Sequence, residues 1–413
     1  MRDVASGFQS RVLLWSWIFA AFVVLLLFVR DVSVFENGRI ADQVVWGRDF
    51  INVWTGGKLL NAGQGSQLFD LPAYQQFQQA IFGPLNPHNY SYPPVSYPIA
   101  QFLALFPYPL ALALWMSATG ALFIYAARPW WPVGGAAAWM AVLTPAALLN
   151  IWAGHYGFLA GALFLIGWQR LDHRPVQAGI FFGLMLIKPH LAVLIPLVLV
   201  FRGHWTAIVS AALTVSALVV VSALIYGWES WAGFLFQTSV VQAGMIDAGS
   251  AFYGLMSTSF MTAALRVTGS WLVAAIGQLL LAAFAVGGLA LAVRRGCSTR
   301  QLALLTATAT FLLLPYAFAY DLTVVAIAAL TVAMSAEVDV SSRRWAAFAF
   351  AAPTLGMVTA IIGIPVMPVL LGLLFAAQLR LACGGLKPGL GAGGAAAIHG
   401  TGVAIGRGAV PVA

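Results

Sequence analysis

Residues 12–29 read VLLWSWIFAAFVVLLLFV, an uncharged run that decides the fold class. At about 1.5 Å per residue in a helix, it nearly crosses a hydrocarbon core about 30 Å thick. Arg2 and Arg11 precede it, and Arg30, Asp31 and Val32 follow with no small-residue cleavage site. The expectation is an uncleaved signal anchor that forms the first transmembrane helix.

The rest of the chain repeats the theme. Of 413 residues, 61% are hydrophobic and 8% are charged, and the mean hydropathy is +0.90. A soluble fold of this length cannot hide so much apolar surface, whereas a helix in lipid closes its own backbone hydrogen bonds. The sequence therefore predicts an all-α polytopic membrane protein with about twelve transmembrane helices. They fall roughly at residues 12–29, 95–127, 131–149, 155–169, 176–188, 190–201, 205–226, 270–293, 301–315, 322–336, 345–362 and 365–382. The second contains Pro98, Pro107 and Pro109 and is expected to be kinked or split. The short fifth and sixth meet at Lys188-Pro189-His190. From Gly384 the chain turns Gly/Ala-rich, so one domain is expected over residues 1–383 and a disordered cytoplasmic tail over 384–413.

The formal net charge is +8. The basic residues sit in short clusters between apolar runs, which reads as a topology signal and not as a nucleic-acid surface. With the N-terminus inside, the Lys and Arg left outside are only Arg30, Arg39, Arg48, Lys58, Lys188 and Arg266. Clusters such as Arg294-Arg295 and Arg343-Arg344 then lie inside, and both termini are cytoplasmic. Cys297 and Cys383 sit at span ends on that inner side, too sparse for a disulfide framework or a metal site. The inner loops carry no phosphate-binding Gly-Lys-Ser/Thr motif and have no room for a catalytic domain, so any chemistry belongs to the outer face.

Two long connections lie outside, at about residues 30–94 and 227–269, and loops of this length usually have a purpose. In the first, Asp49 to Leu60 reads as a helix with Phe50, Val53, Trp54, Gly57 and Leu60 on one stripe and Gly63 as its stop. Asp70 and Pro72 open a second, with Tyr74, Phe77 and Ile81 opposite a polar side of Gln75, Gln76, Gln78 and Gln79. Both are expected to lie flat on the bilayer surface as amphipathic helices. The second loop offers the interfacial tryptophans Trp228 and Trp231, with Glu229, Asp247 and Arg266 read as solvated charges.

Each polar candidate has a structural reading beside its functional one. Asp49 is either a helix cap that accepts the Asn52 N–H or a general base at the membrane surface. Lys188 either snorkels to the interface or, with His190, binds a lipid phosphate. His88 and His155 are ordinary hydrogen-bonded histidines or cavity residues; a metal site would need His88, His155 and His190 to converge, and none is expected. Tyr92, in a Tyr/Pro run, belongs to an aromatic belt or to a sugar-stacking surface. Asp321, after Tyr316 and Tyr320, is a cap or part of a polar cavity.

Taken together these outward features resemble a known family. They comprise an early Asp, Trp54-Thr55-Gly56-Gly57-Lys58-Leu59-Leu60-Asn61-Ala62-Gly63 leading to Leu68-Phe69-Asp70, Tyr92-Pro93-Pro94, Ile187-Lys188-Pro189-His190 and Pro315-Tyr316-Ala317-Phe318-Ala319-Tyr320-Asp321. The pattern, over roughly residues 10–380, is similar to the GT-C-type membrane glycosyltransferases of the polyprenyl-phosphate-mannose-dependent mannosyltransferase family, which includes enzymes of phosphatidylinositol mannoside assembly. The resemblance implies a polyprenyl-phosphate sugar donor, a lipid or glycan acceptor, inversion at the anomeric carbon and no cofactor. It implies Asp49 as catalytic base, and Lys188, with His190 and Arg48, as contacts to the donor phosphate. His88, Tyr92, His155, Tyr316, Tyr320 and Asp321 would line the substrate cavity of an enzyme in a bacterial inner (plasma) membrane. Many members carry a histidine where this chain has Tyr320-Asp321. The competing reading is a transporter or flippase for a lipid-linked or small polar solute, which should place ionisable groups deep within several spans.

Overall fold

The computed structural model describes residues 2–33, 35–36, 39–40, 44–86, 88–247 and 251–384. Asp42 and the tail with Lys387 and Arg407 lie outside them; Gly384 itself closes the last helix. Among the described residues the architecture is helical, apart from a hairpin that pairs Phe35–Glu36 with Arg39–Ile40.

Among the described residues, five helices are long and apolar enough to cross a membrane alone: Arg11–Ser33, Tyr108–Ala127, Trp205–Tyr226, Trp271–Arg294 and Val340–Ile361. A sixth candidate is the pair Gly135–Leu143 and Pro145–Ala153, bent by 53°. The bend sits where Thr144 accepts the Ala147 N–H and Pro145 opens the second piece. The expected second span is split into Tyr97–Leu103 and Tyr108–Ala127, with Pro107 at the cap position of the latter. Other expected spans are shorter apolar helices, among them Pro175–Ile187, Pro189–Arg202, Thr323–Met334 and Met367–Cys383. Thr323–Met334 is buried almost throughout, whereas Trp205–Tyr226 fully buries only Ala207 and Ser222: one side packs on Pro175–Leu184, and the other, with Leu213, Val220 and Leu224, is exposed as on a lipid-facing helix.

The helices set up two opposite ends. Gly157–Arg170 starts beside His155 and finishes at Arg170. The run from Pro175 to Ile187 returns to Lys188. Thr299–Leu313 climbs from Arg300 to the Tyr316–Asp321 turn, and Thr323–Met334 descends again. At the far end the basic segments are tied together. Arg300 donates to the Trp130 carbonyl at 2.8 Å, the Thr299 hydroxyl to Asp172 at 2.8 Å, and Arg202 to the Cys297 carbonyl at 3.3 Å. The free thiols Cys297 and Cys383 meet there, sulfur to sulfur at 3.9 Å.

The first long loop differs from its expected form. The helix Phe50–Asn61 does exist, and Gly63 follows it with φ +71°. It does not lie flat on a surface, because it is buried on nearly every side. Gly56 and Gly57 are the reason: a Cβ on Gly57 would stand 2.0 Å from the Ala100 carbonyl oxygen, and one on Gly56 would strike the Tyr90 ring. The second helix, Leu71–Phe82, is capped by Asp70, which accepts the Ala73 N–H. Its inner face is Tyr74 with Gln78, while Ile81 is exposed. Gln78 faces inward because it donates to Asn52 at 3.2 Å and to Thr55 at 3.1 Å; the Thr55 and Tyr74 hydroxyls also pair, at 2.9 Å. A polar seam thus joins two helices whose partners were expected to be water and lipid.

Candidate active site

The segment before Phe50–Asn61 is a turn built to present Asp49. Gly47 has φ +76° and Arg48 φ +38°, the latter a left-handed backbone that a side chain rarely adopts. Neighbours hold the turn in that shape. The Asp49 N–H donates to the Ala153 carbonyl at 3.1 Å, and the Tyr108 hydroxyl donates to the Trp46 carbonyl. Arg48 reaches Asp31 at 2.9 Å and lies 3.9 Å over the Trp152 ring, while the Trp152 indole N–H donates to the other Asp31 oxygen at 3.0 Å. Arg48 thus sits in a buried ion pair beside Asp49, and the cavity lining does not include it. Asp31, at the end of the first helix, and Trp152 carried no sequence signal for this role.

Asp49 occupies the cap position of its helix, yet its carboxylate makes no cap bond. Its backbone is already helical, φ −69° and ψ −17°, whereas a capping residue is extended so that its side chain swings back over the first N–H groups. The cap reading fails, and the carboxylate faces a cavity of about 280 Å³ instead.

That cavity brings together most of the expected residues: Asp49, Tyr92, His155, Lys188, His190, Tyr316, Tyr320 and Asp321 all line it. His88 does not. Its neighbour Asn89 does, while the His88 ring is packed aside with Nε2 buried and unbonded, and burial lowers its pKa to about 4. Asn52, Asn89, Ser91, Thr238 and Ser239 also line the cavity without having been anticipated. The last two come from the second long loop, whose length and tryptophans drew attention but not to these positions.

Lys188 is the hub. Lys188 sits at the break between Met185–Ile187 and Pro189–Ala192 with a non-helical backbone, and its ammonium donates to both Asp321 oxygens at 2.5 and 2.6 Å and to His155 Nδ1 at 3.0 Å. An ammonium has three N–H bonds and no lone pair, so all three are engaged. His155 Nδ1 must accept; it also accepts the Tyr156 N–H at 2.9 Å. The ring proton is thereby assigned to Nε2, which donates to the Tyr92 hydroxyl at 3.3 Å. His155 stacks on Tyr320 with centroids 4.2 Å apart.

Asp49 is half-buried at the cavity wall, with protein packed around its carboxylate. Burial raises its pKa to about 6; Lys188, Arg48 and the Tyr320 hydroxyl pull it down, and Asp321 pushes it up. Such a group is ionised at neutral pH and basic enough to take a proton. The cavity therefore sets a poised carboxylate beside a lysine already neutralised by a second carboxylate.

A polytopic helical bundle with a polar cavity at one end, walled by two long loops, is the layout of a membrane enzyme. The chain belongs to glycosyltransferase family 87, whose model matches residues 90–315, and it is a membrane glycosyltransferase. Tyr92, His155, Lys188, His190 and Thr238 fall within the match; Asp49, Tyr316, Tyr320 and Asp321 lie outside it. No curated protein and no solved structure matches the chain.

Proposed function

We propose that the protein moves a sugar, mannose on the family resemblance, from a polyprenyl-phosphate donor to a lipid or glycan acceptor, with inversion and with Asp49 as general base. The observation that carries this reading is the uncapped Asp49 carboxylate in one cavity with Lys188. The acceptor hydroxyl attacks the anomeric carbon, its proton passes to Asp49, and the bond from that carbon to the phosphate oxygen breaks, releasing polyprenyl phosphate. Charge develops on the departing phosphate, where a cation in a partly dry site is most effective. Lys188 serves only by releasing one of its present partners, so the donor phosphate replaces an Asp321 oxygen or His155 on its ammonium. His190, lining the same wall, adds a second contact.

The basic end is then cytoplasmic and the cavity faces outward, in keeping with the excess of Arg and Lys at the far end. Buried charged groups support an enzyme over a transporter. Among the described residues they are Asp31, Arg48, Lys188 and Asp321, all at the cavity end and not strung along a path through the bundle. The test is incubation of purified protein with radiolabelled polyprenyl-phosphate mannose and a panel of lipid and glycan acceptors. Labelled product from wild type and about a hundred-fold less or lower from Asp49→Asn is the expected result; transfer by Asp49→Asn at the wild-type rate sinks the assignment.

A further inference from the structure

The polar seam between the two helices of the first long loop fixes more than their docking. Thr55 gives its one hydroxyl proton to the Ile51 carbonyl at 2.6 Å, so towards Gln78 it can only accept. Gln78 therefore presents its NH2 group there, at 3.1 Å. The same nitrogen lies 3.2 Å from the Asn52 side chain, which must answer with its oxygen. The Tyr74 hydroxyl stands 3.4 Å from that oxygen and donates to the Asn52 carbonyl at 3.1 Å. The Asn52 amide is thus held one way round, and its own N–H bonds meet no acceptor among the described residues. They are not sealed off, because Asn52 keeps 7% of its surface exposed and lines the Asp49 cavity.

We propose that Asn52 binds the acceptor, and that the acceptor it selects is a polyol whose reacting hydroxyl has a second oxygen on the neighbouring carbon. The proposal rests on the transferase reading above and narrows its acceptor. Two independent observations carry it. First, the fold turns the Asn52 oxygen to Gln78 and leaves the NH2 group without a partner. A nearly buried amide seldom stays unpaired, and the group that meets it in the cavity is a ligand oxygen. Second, Asn52 stands beside the base. Asp49 has helical backbone angles and its carbonyl accepts the Asn52 N–H at 3.1 Å, so the two residues lie three apart on one helix face.

Asp49 and Asn52 have side chains of equal length, one ending in an acceptor and the other in a donor. Side by side, they read two neighbouring ligand oxygens in different ways. One hydroxyl gives its proton to Asp49 while its oxygen bonds to the anomeric carbon and the phosphate oxygen leaves. The neighbouring oxygen accepts an N–H from Asn52, which stops the acceptor from swinging about its first contact. In an inverting displacement the attacking oxygen and the departing phosphate lie on opposite sides of the carbon. A donor beside the base therefore serves the acceptor, while Lys188 and His190 serve the phosphate. An alcohol with a single oxygen makes only the contact to Asp49; a sugar or an inositol makes both.

The experiment is steady-state transfer from radiolabelled polyprenyl-phosphate mannose by the full chain in nanodiscs. The acceptors are octyl mannopyranoside, its monodeoxy analogues and n-octanol. The quantity read is kcat/KM for each analogue divided by that for the parent glycoside, a ratio that cancels any general loss of folding or rate. The analogue that lacks the attacking hydroxyl is inert. Of the others, wild type should use at least one roughly ten-fold less well than the parent, and n-octanol less well still. In Asn52→Ala that ratio should rise to about one, with the donor KM unchanged. Gln78→Met keeps Asn52 but frees its amide to turn, and should move the ratio part of the way; it decides the matter if Asn52→Ala does not fold. Ratios like those of wild type in the variants, equal use of every reactive analogue by wild type, or use of n-octanol as readily as the glycoside each overturns the proposal. The two readings fail separately. Transfer by wild type to none of these acceptors removes the transferase reading and the proposal with it, whereas transfer with unaltered ratios in the variants removes the role of Asn52 alone.

Discussion

At the scale of single residues, the cavity makes sharp demands on two side chains. Asp49→Asn should lower transfer by about a hundred-fold to ten-thousand-fold, measured in membranes where the variant inserts normally. Because the base must be ionised and its pKa is raised to about 6, kcat/KM should be flat at neutral pH and fall as pH drops through about 6. A flat profile down to the ordinary carboxylate range would remove Asp49 from the rate law. Lys188 and Asp321 form a pair. Lys188→Ala leaves a buried carboxylate without its cation and should cost about 3–5 kcal/mol of stability, seen as a lower melting temperature in detergent. Lys188→Ala with Asp321→Ala should recover most of that stability and none of the transfer. The sequence brought attention to both residues but could not pair them, since 133 positions separate them and only the packing of their two turns closes the gap. Nor could it pair Arg48 with Asp31, which sits on another helix.

At the scale of elements, glycine and proline decide where helices go. The helix Phe50–Asn61 was legible as a helix from its stripe and its stop, but its place was not, because an apolar stripe looks alike whether it faces lipid or protein. Gly56-Gly57 was the hint, and only the Ala100 backbone beside it gives that hint meaning. Gly57→Val should therefore undock this helix from Tyr97–Leu103, destabilise the protein by about 3 kcal/mol or more and abolish activity together with thermal cooperativity. The Asp31–Arg48–Trp152 cluster clamps three elements at the turn that presents Asp49. Asp31→Asn keeps one acceptor for Trp152 but weakens the ion pair. Its expected outcome is a kcat lowered about ten-fold with the donor KM unchanged. Equal loss in kcat and in folded yield would show the cluster to be structural only.

At the scale of the whole molecule, the sequence had the membrane class, the broken second span and the gathering of chemistry at one end. What it lacked was the layering, which depends on which helices surround which. Topology is open to a direct test in cells. With Cys297 and Cys383 replaced by Ser, a cysteine at Ser66 should react with an impermeant maleimide added from outside, and one at Arg174 should not. The inverse pattern would turn the site inward. Gly157–Arg170, Thr299–Leu313 and Thr323–Met334 carry or flank the cavity and are wrapped by other helices, whereas Trp205–Tyr226 packs on Pro175–Leu184 along one side and exposes the other. In a bilayer of altered hydrophobic thickness, the exposed side of that outer helix meets the mismatch while the wrapped ones have no lipid to match. Catalysis should accordingly tolerate changes in acyl-chain length, and the lipid composition of the membrane should act on the protein through its periphery.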